Sequence, residues 1–208
     1  MSGGSPCLAP VTTAVPGIPQ MDPSVLSRPL PDEYPAVWAP VVALVPDGDL
    51  GDWLQRDLDA LVQQLSTLPI ARGTFRYAPG KWSINDVLAH VIDCERIYTY
   101  RALRWARGDQ TPLAGFDQDA YVEAASADAR SLLDLMDELT DVRSGTVAFW
   151  RTLDPKVTLR RGLANGHEVS VRAMAYVTAG HGRHHQQLLR DRYGIGGMPL
   201  NDSIGGIV

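Results

Sequence analysis

The stretch GKWSINDVLAHVIDCERIYTYRALRWARG, residues 80–108, carries its own start and stop signals. Ser83 followed by Asp86 reads as a variant of the capping box, in which serine accepts an amide of the first turn and the acid returns to the serine amide. Gly108 is the stop, because a glycine just past the last periodic residue accepts the left-handed conformation that closes a helix. Between these signals Val87, His90, Cys94, Ile97 and Arg101 recur at spacings of three and four. That period predicts one long amphipathic helix with an imidazole at the edge of its apolar face.

Three more segments share the period. The stretch DLGDWLQRDLDALVQQLSTLP, from Asp49, places Leu50, Trp53, Leu54, Leu58, Leu61 and Leu65 on one stripe. Another runs from about Asp128 to Leu153 and ends before Asp154-Pro155, since the residue ahead of a proline avoids the helical region. The last starts near NGHEVS, residues 165–170, and finishes at Tyr193 with Gly194 as C-cap. Between the second and third lies GDQTPLAGFDQDAYVEAAS, too long for a tight turn and dense in turn formers. It predicts a structured crossover with a short helix at its end. Strand signals are confined to TFRYAP and KVTLRRG, both short. The pattern predicts an all-α four-helix bundle with a long crossover connection.

The bundle is expected over residues 28–193, between a Pro-rich leader, 1–27, and a tail, 194–208. Most of the fifteen prolines fall in residues 1–47, which are expected to be extended, wrapping the domain or disordered, with disorder over 1–20. Met21 is a second candidate start. At 208 residues the chain buries a core without staples, and Cys7 and Cys94 lie in contexts too different to suggest a disulfide. A net charge of -5 with no cluster of Lys and Arg argues against a nucleic-acid partner. No apolar run approaches a membrane span, so the expectation is a cytoplasmic protein with no membrane partner that acts on a small molecule.

The second informative stretch is TAGHGRHHQQLLRDRYG, residues 178–194, which holds three of the five histidines. At 100° per residue Met174, Thr178, His181, His185 and Leu188 share one line, while His184 falls about 80° to the side. Adjacent turns bring His181 and His185 to about 6 Å between Cβ atoms, a separation two ligands of one ion can use. With His90 from the other helix they would form one face of a tetrahedral or octahedral site, leaving positions for water or substrate. The plain alternative is a polar bundle seam satisfied by Thr178, Arg101 and water. No Glu follows His181, so a metalloprotease of the H-E-x-x-H type is unsupported, and E-x-x-H pairs of di-iron bundles are missing. Cys94 reads as a small buried apolar residue, His167 as a loop residue near a helix start, and His184 as solvent-facing. Asp93, Glu95, Asp117 and Asp119 are near enough in sequence to orient a histidine or handle a proton, and none is assigned that role.

The run RYAPGKWSINDVLAHVIDCERIYTYRALRWARGDQTPLAGFDQDAYV, followed by NGHEVSVRAMAYVTAGHGRHHQQLLRDRYG, resembles the DinB/YfiT-like superfamily of metal-dependent enzymes over roughly residues 28–193. Its specific features are GKWS opening the second helix, a histidine seven residues after that serine, and H-x-x-H-H on the last helix. The resemblance implies a four-helix bundle, often dimeric, with a divalent ion, commonly nickel or zinc, held by three histidines. By position these are His90, His181 and His185. It also implies a reaction class, since relatives include transferases and isomerases that use low-molecular-weight thiols, and others described as hydrolases. The function expected is therefore a divalent-metal-dependent enzyme in which the ion activates a thiol or water. The alternative is a non-enzymatic metal-binding bundle with a structural or dimerisation role. A homodimer is expected from the resemblance and from Trp105 and Trp150, which four helices alone would leave partly uncovered.

Overall fold

In the computed structural model, which describes residues 26–196, the long helices begin on side chains that accept a backbone amide. The chain enters through two short 3-10 turns, Pro31–Glu33 and Ala36–Trp38, and the brief helix α1 (Ala39–Ala43). There follow α2 (Leu50–Ser66), α3 (Ile84–Ala106), α4 (Gln118–Ala125), α5 (Leu132–Arg151), a hairpin of β1 (Arg161–Ala164) and β2 (His167–Ser170), and α6 (Val171–Tyr193). Asp49, Ser131 and Ser170 cap α2, α5 and α6. At α3 Ser83 accepts the Asp86 amide at 3.0 Å while Asp86 accepts the Ser83 amide at 2.9 Å, which completes the expected capping box. Gly108 and Gly194 close α3 and α6 at φ of 83° and 69°.

The four long helices form a bundle in which α2 and α3 each pack on both α5 and α6. The ring order is therefore α2, α5, α3, α6, and the chain neighbours α2 and α3 lie across a diagonal. Two core clusters result, one around Leu54, Trp105, Trp150 and Met174, the other around Leu65, Leu88, Leu135 and Tyr193. Between them Arg143 of α5 grips Glu95 of α3 with two bonds of 2.8 Å and donates a third, 2.7 Å, to the Leu54 carbonyl of α2. No helix among the described residues is long and apolar enough to cross a membrane.

Several expectations are corrected. TFRYAP forms no strand, since Ile70–Thr74 is a 3-10 turn and the rest is irregular. The last helix starts where expected, at the end of NGHEVS on its Ser170 cap, but the residues ahead of that cap form a hairpin. Asn165 and Gly166, at φ of 51° and 77°, make a two-residue hairpin turn, and β2 follows, so only the end of KVTLRRG is strand. His167 is thus a hairpin residue, 6.5 Å from the Trp38 ring. Trp105 and Trp150 are fully buried. The hairpin covers Trp105 so closely that a Cβ at Gly162 would sit 2.0 Å from its indole, and Val42 and Val45 belong to the same cluster. A four-helix count omitted these covers, so the two tryptophans are no argument for a dimer.

Residues 26–47 wrap the bundle, one of the outcomes expected for them. Glu33 is their anchor: it accepts from Arg172 Nε at 2.8 Å, from a second Arg172 nitrogen, from Ser170 Oγ at 2.6 Å and from the Leu30 amide at 2.9 Å. Expectations for residues 1–20, for Met21 and for most of the tail lie outside the described residues.

Candidate metal centre

The contact between α3 and α6 carries the three histidines. His90 stands in the second turn of α3, and its Nε2 lies 3.1 Å from His181 Nε2; His185 Nε2 lies 3.2 Å from the same atom. Ligand atoms of all three fall within 4.8 Å of one another, and no carboxylate or thiol of the described residues joins the group. Metal–imidazole bonds of about 2.1 Å separate neighbouring nitrogens by roughly 3.0 Å at octahedral angles and roughly 3.4 Å at tetrahedral ones. The two short separations fall between these values. These two separations and the all-imidazole donor set fit a divalent ion of the first transition row.

Electrostatics agree with that fit. Burial, with some repulsion from His184, pushes His90 down to about 4. Burial, then His90 and His184, pushes His181 down to about 3, and burial with the other imidazoles lowers His185 strongly. The rings are neutral near pH 7, the state in which imidazole offers a lone pair. His185 Nδ1 is buried without a hydrogen-bond partner. Beside it runs a narrow cleft lined by Asp57, Leu61, Arg143 and Gly182, with room for about one water.

Around the imidazoles stand residues that the sequence did not single out. Trp82 leans on His90 with ring centroids 4.8 Å apart, and Tyr98 meets His181 edge-on at 5.6 Å. Their signal was spacing alone: Trp82 directly precedes the Ser83 cap, and Tyr98 is one turn beyond Cys94. Cys94 Sγ sits 3.7 Å from both His90 nitrogens, yet burial pushes the thiol up to about 12, so it is a protonated packing group. Arg101 continues the same α3 face and donates to the Ala114 carbonyl at 2.8 Å, fixing the crossover loop.

His184 stays outside the cluster, on the flank where the helical-face arithmetic puts it. It is half-buried rather than solvent-facing, its ring 5.1 Å from that of His185. The four acidic candidates are placed elsewhere. Glu95 is the buried partner of Arg143, Asp117 caps α4, Asp119 is exposed, and Asp93 is half-buried with Arg96 3.9 Å away.

The family model described as the DinB superfamily matches residues 52–189. No protein of curated function matches the chain by sequence. Among solved structures, one described as "YfiT from Bacillus subtilis is a probable metal-dependent hydrolase with an unusual four-helix bundle topology" is similar with a TM-score of 0.60 and 18% identity, over 71% of this chain and 89% of that one. The mycothiol-dependent maleylpyruvate isomerase is similar with a TM-score of 0.55 and 16% identity, over 67% of this chain but only 59% of the isomerase. At these identities the likeness is one of fold.

Proposed function

The chain belongs to the DinB superfamily, and on that premise we propose that it is a divalent-metal-dependent enzyme for a small molecule, with His90, His181 and His185 as the ligands. The observation that carries the reading is the convergence of three neutral Nε2 atoms from two helices, 3.1 and 3.2 Å apart. A divalent ion, nickel or zinc as the family resemblance implies, would supply Lewis acidity that lowers the pKa of a thiol or water near neutral pH.

The chain's own residues favour an anionic partner. No side chain of the cluster carries a negative charge, so the ligand set leaves the ion's charge uncompensated. A thiolate or a hydroxide is its complement. Trp82 and Tyr98 pack against the rings of His90 and His181. Thiol-dependent transfer is the leading reading, because the isomerase neighbour is described as mycothiol-dependent. Hydrolysis is the second, supported by the description of YfiT as a probable metal-dependent hydrolase.

The test is to load the purified chain with nickel or zinc and follow an electrophile and an activated ester, each with and without a low-molecular-weight thiol. Thiol transfer expects thiol consumption that needs the ion and is lost in His181→Ala. Ester cleavage without thiol selects the hydrolase. Neither activity, with helicity lost on metal removal, would replace both by a structural ion.

A further inference from the structure

Two arginines are buried among the described residues, Arg143 at 4% exposure and Arg101 at 5%, and they differ in one respect. Arg143 is neutralised by Glu95. Among the described residues Arg101 has no acidic partner: Nη2 donates to the Ala114 carbonyl, the Phe116 ring centroid lies 5.8 Å from the guanidinium, and no other hydrogen bond satisfies it. An uncompensated buried cation is costly, and the crossover loop needs only one of its five N–H bonds. The unbonded nitrogens are not among the fully buried orphan atoms, so they keep access to solvent.

Position gives this charge a purpose. Arg101 follows His90 by eleven residues on α3, which places it about 20° from the same line and about 16 Å along the axis. Helical side chains lean toward the N-terminus, and the guanidinium lies close enough to Tyr98 and Cys94, one and two turns earlier, to interact electrostatically with both. Cys94 and Tyr98, which lie between, are the residues that touch His90 and His181. A small molecule lying along this face would meet the imidazoles at one end and the guanidinium at the other.

We propose that Arg101 is the anchor for a carboxylate, so that the ligand of this site is a small carboxylic acid whose reacting end reaches the three histidines. The inference rests on the metal-dependent reading for the second half of that statement only. A planar guanidinium with an edge of N–H groups to spare is the shape that pairs with a carboxylate through two parallel bonds. The carboxylate belongs either to the substrate or to a thiol cosubstrate.

The experiment titrates hexanoate and hexanamide into the metal-free chain, and 6-mercaptohexanoate and 6-mercaptohexanamide into the metal-loaded chain, by calorimetry. The acid should bind about tenfold or more tightly than its amide. Preference already present with hexanoate assigns the carboxylate to the substrate; preference seen only with the thiol pair assigns it to the cosubstrate. Arg101→Met should abolish the preference and Arg101→Lys should retain part of it, with circular dichroism confirming the fold. If Arg101→Met does not fold, the wild-type acid–amide comparison and Arg101→Lys still decide. No preference in either pair, or one that survives Arg101→Met, overturns the proposal. Metal uptake measured on the loading samples reads the other claim separately: acid preference in a chain that takes up no ion when loaded sinks the metal-dependent reading and leaves the anchor standing.

Discussion

Replacing Glu33 with Gln tests whether residues 26–47 are part of the domain. The carboxylate is 3% exposed and accepts from Arg172, Ser170 and the Leu30 amide. Burial pushes its pKa up, but these bonds, Arg172 foremost, outweigh burial and hold it at about 2 against an ordinary 4.5. Because the folded value is the lower one, the stabilisation is complete above the unfolded value and is lost as pH falls through the folded one. The gap corresponds to about 3 kcal/mol at pH 7, falling to about 1.4 kcal/mol at pH 3. Glu33→Gln keeps the shape, removes the charge and leaves Arg172 without its partner, so it should cost about 3 kcal/mol at pH 7 and less than half of that at pH 3. Urea unfolding of both proteins at the two pH values measures this directly. Equal stability at pH 7 would show that the pair does not anchor the segment. A deficit that does not shrink in acid would assign it to packing.

Arg143→Met strands Glu95 in the core and should destabilise the chain by about 3–5 kcal/mol, whereas Arg143→Met combined with Glu95→Leu should recover most of the loss in the same urea assay. Gly180→Ala would place a Cβ 2.1 Å from the Val41 carbonyl oxygen, forcing α1 off α6. A loss of about 1–3 kcal/mol in thermal unfolding is expected, and an unchanged midpoint would contradict that packing.

Much of the bundle was legible because capping and periodicity are local. Ser83 with Asp86, Gly108 and Gly194 act within a turn of themselves, and the 100° arithmetic that separated His184 from His181 and His185 needs only one helix. Of the hairpin only the Asn165-Gly166 turn was legible, because each flanking strand spans four residues, too few to show alternation. Long-range pairing was not. Glu95 adjoins Cys94 in sequence and looked like a site residue, yet its side chain faces α5, where Arg143 lies 48 residues away. Residues 26–47 have no helical period, so nothing local announced that Glu33 would meet Arg172 139 residues on. Periodicity tells which face turns inward and not which residue waits there.

The most direct measurement of the central claim is bound metal in wild type, His90→Ala and His184→Ala, by elemental analysis after dialysis at a buffered free-ion concentration. Wild type should hold one ion per chain. His90→Ala, which leaves two imidazoles one turn apart, should bind at least tenfold more weakly while keeping wild-type helicity, because alanine is the best helix former. His184→Ala should bind as wild type does. A wild-type chain that holds no ion, or a His90→Ala chain that holds it with undiminished affinity, would contradict the three-histidine centre.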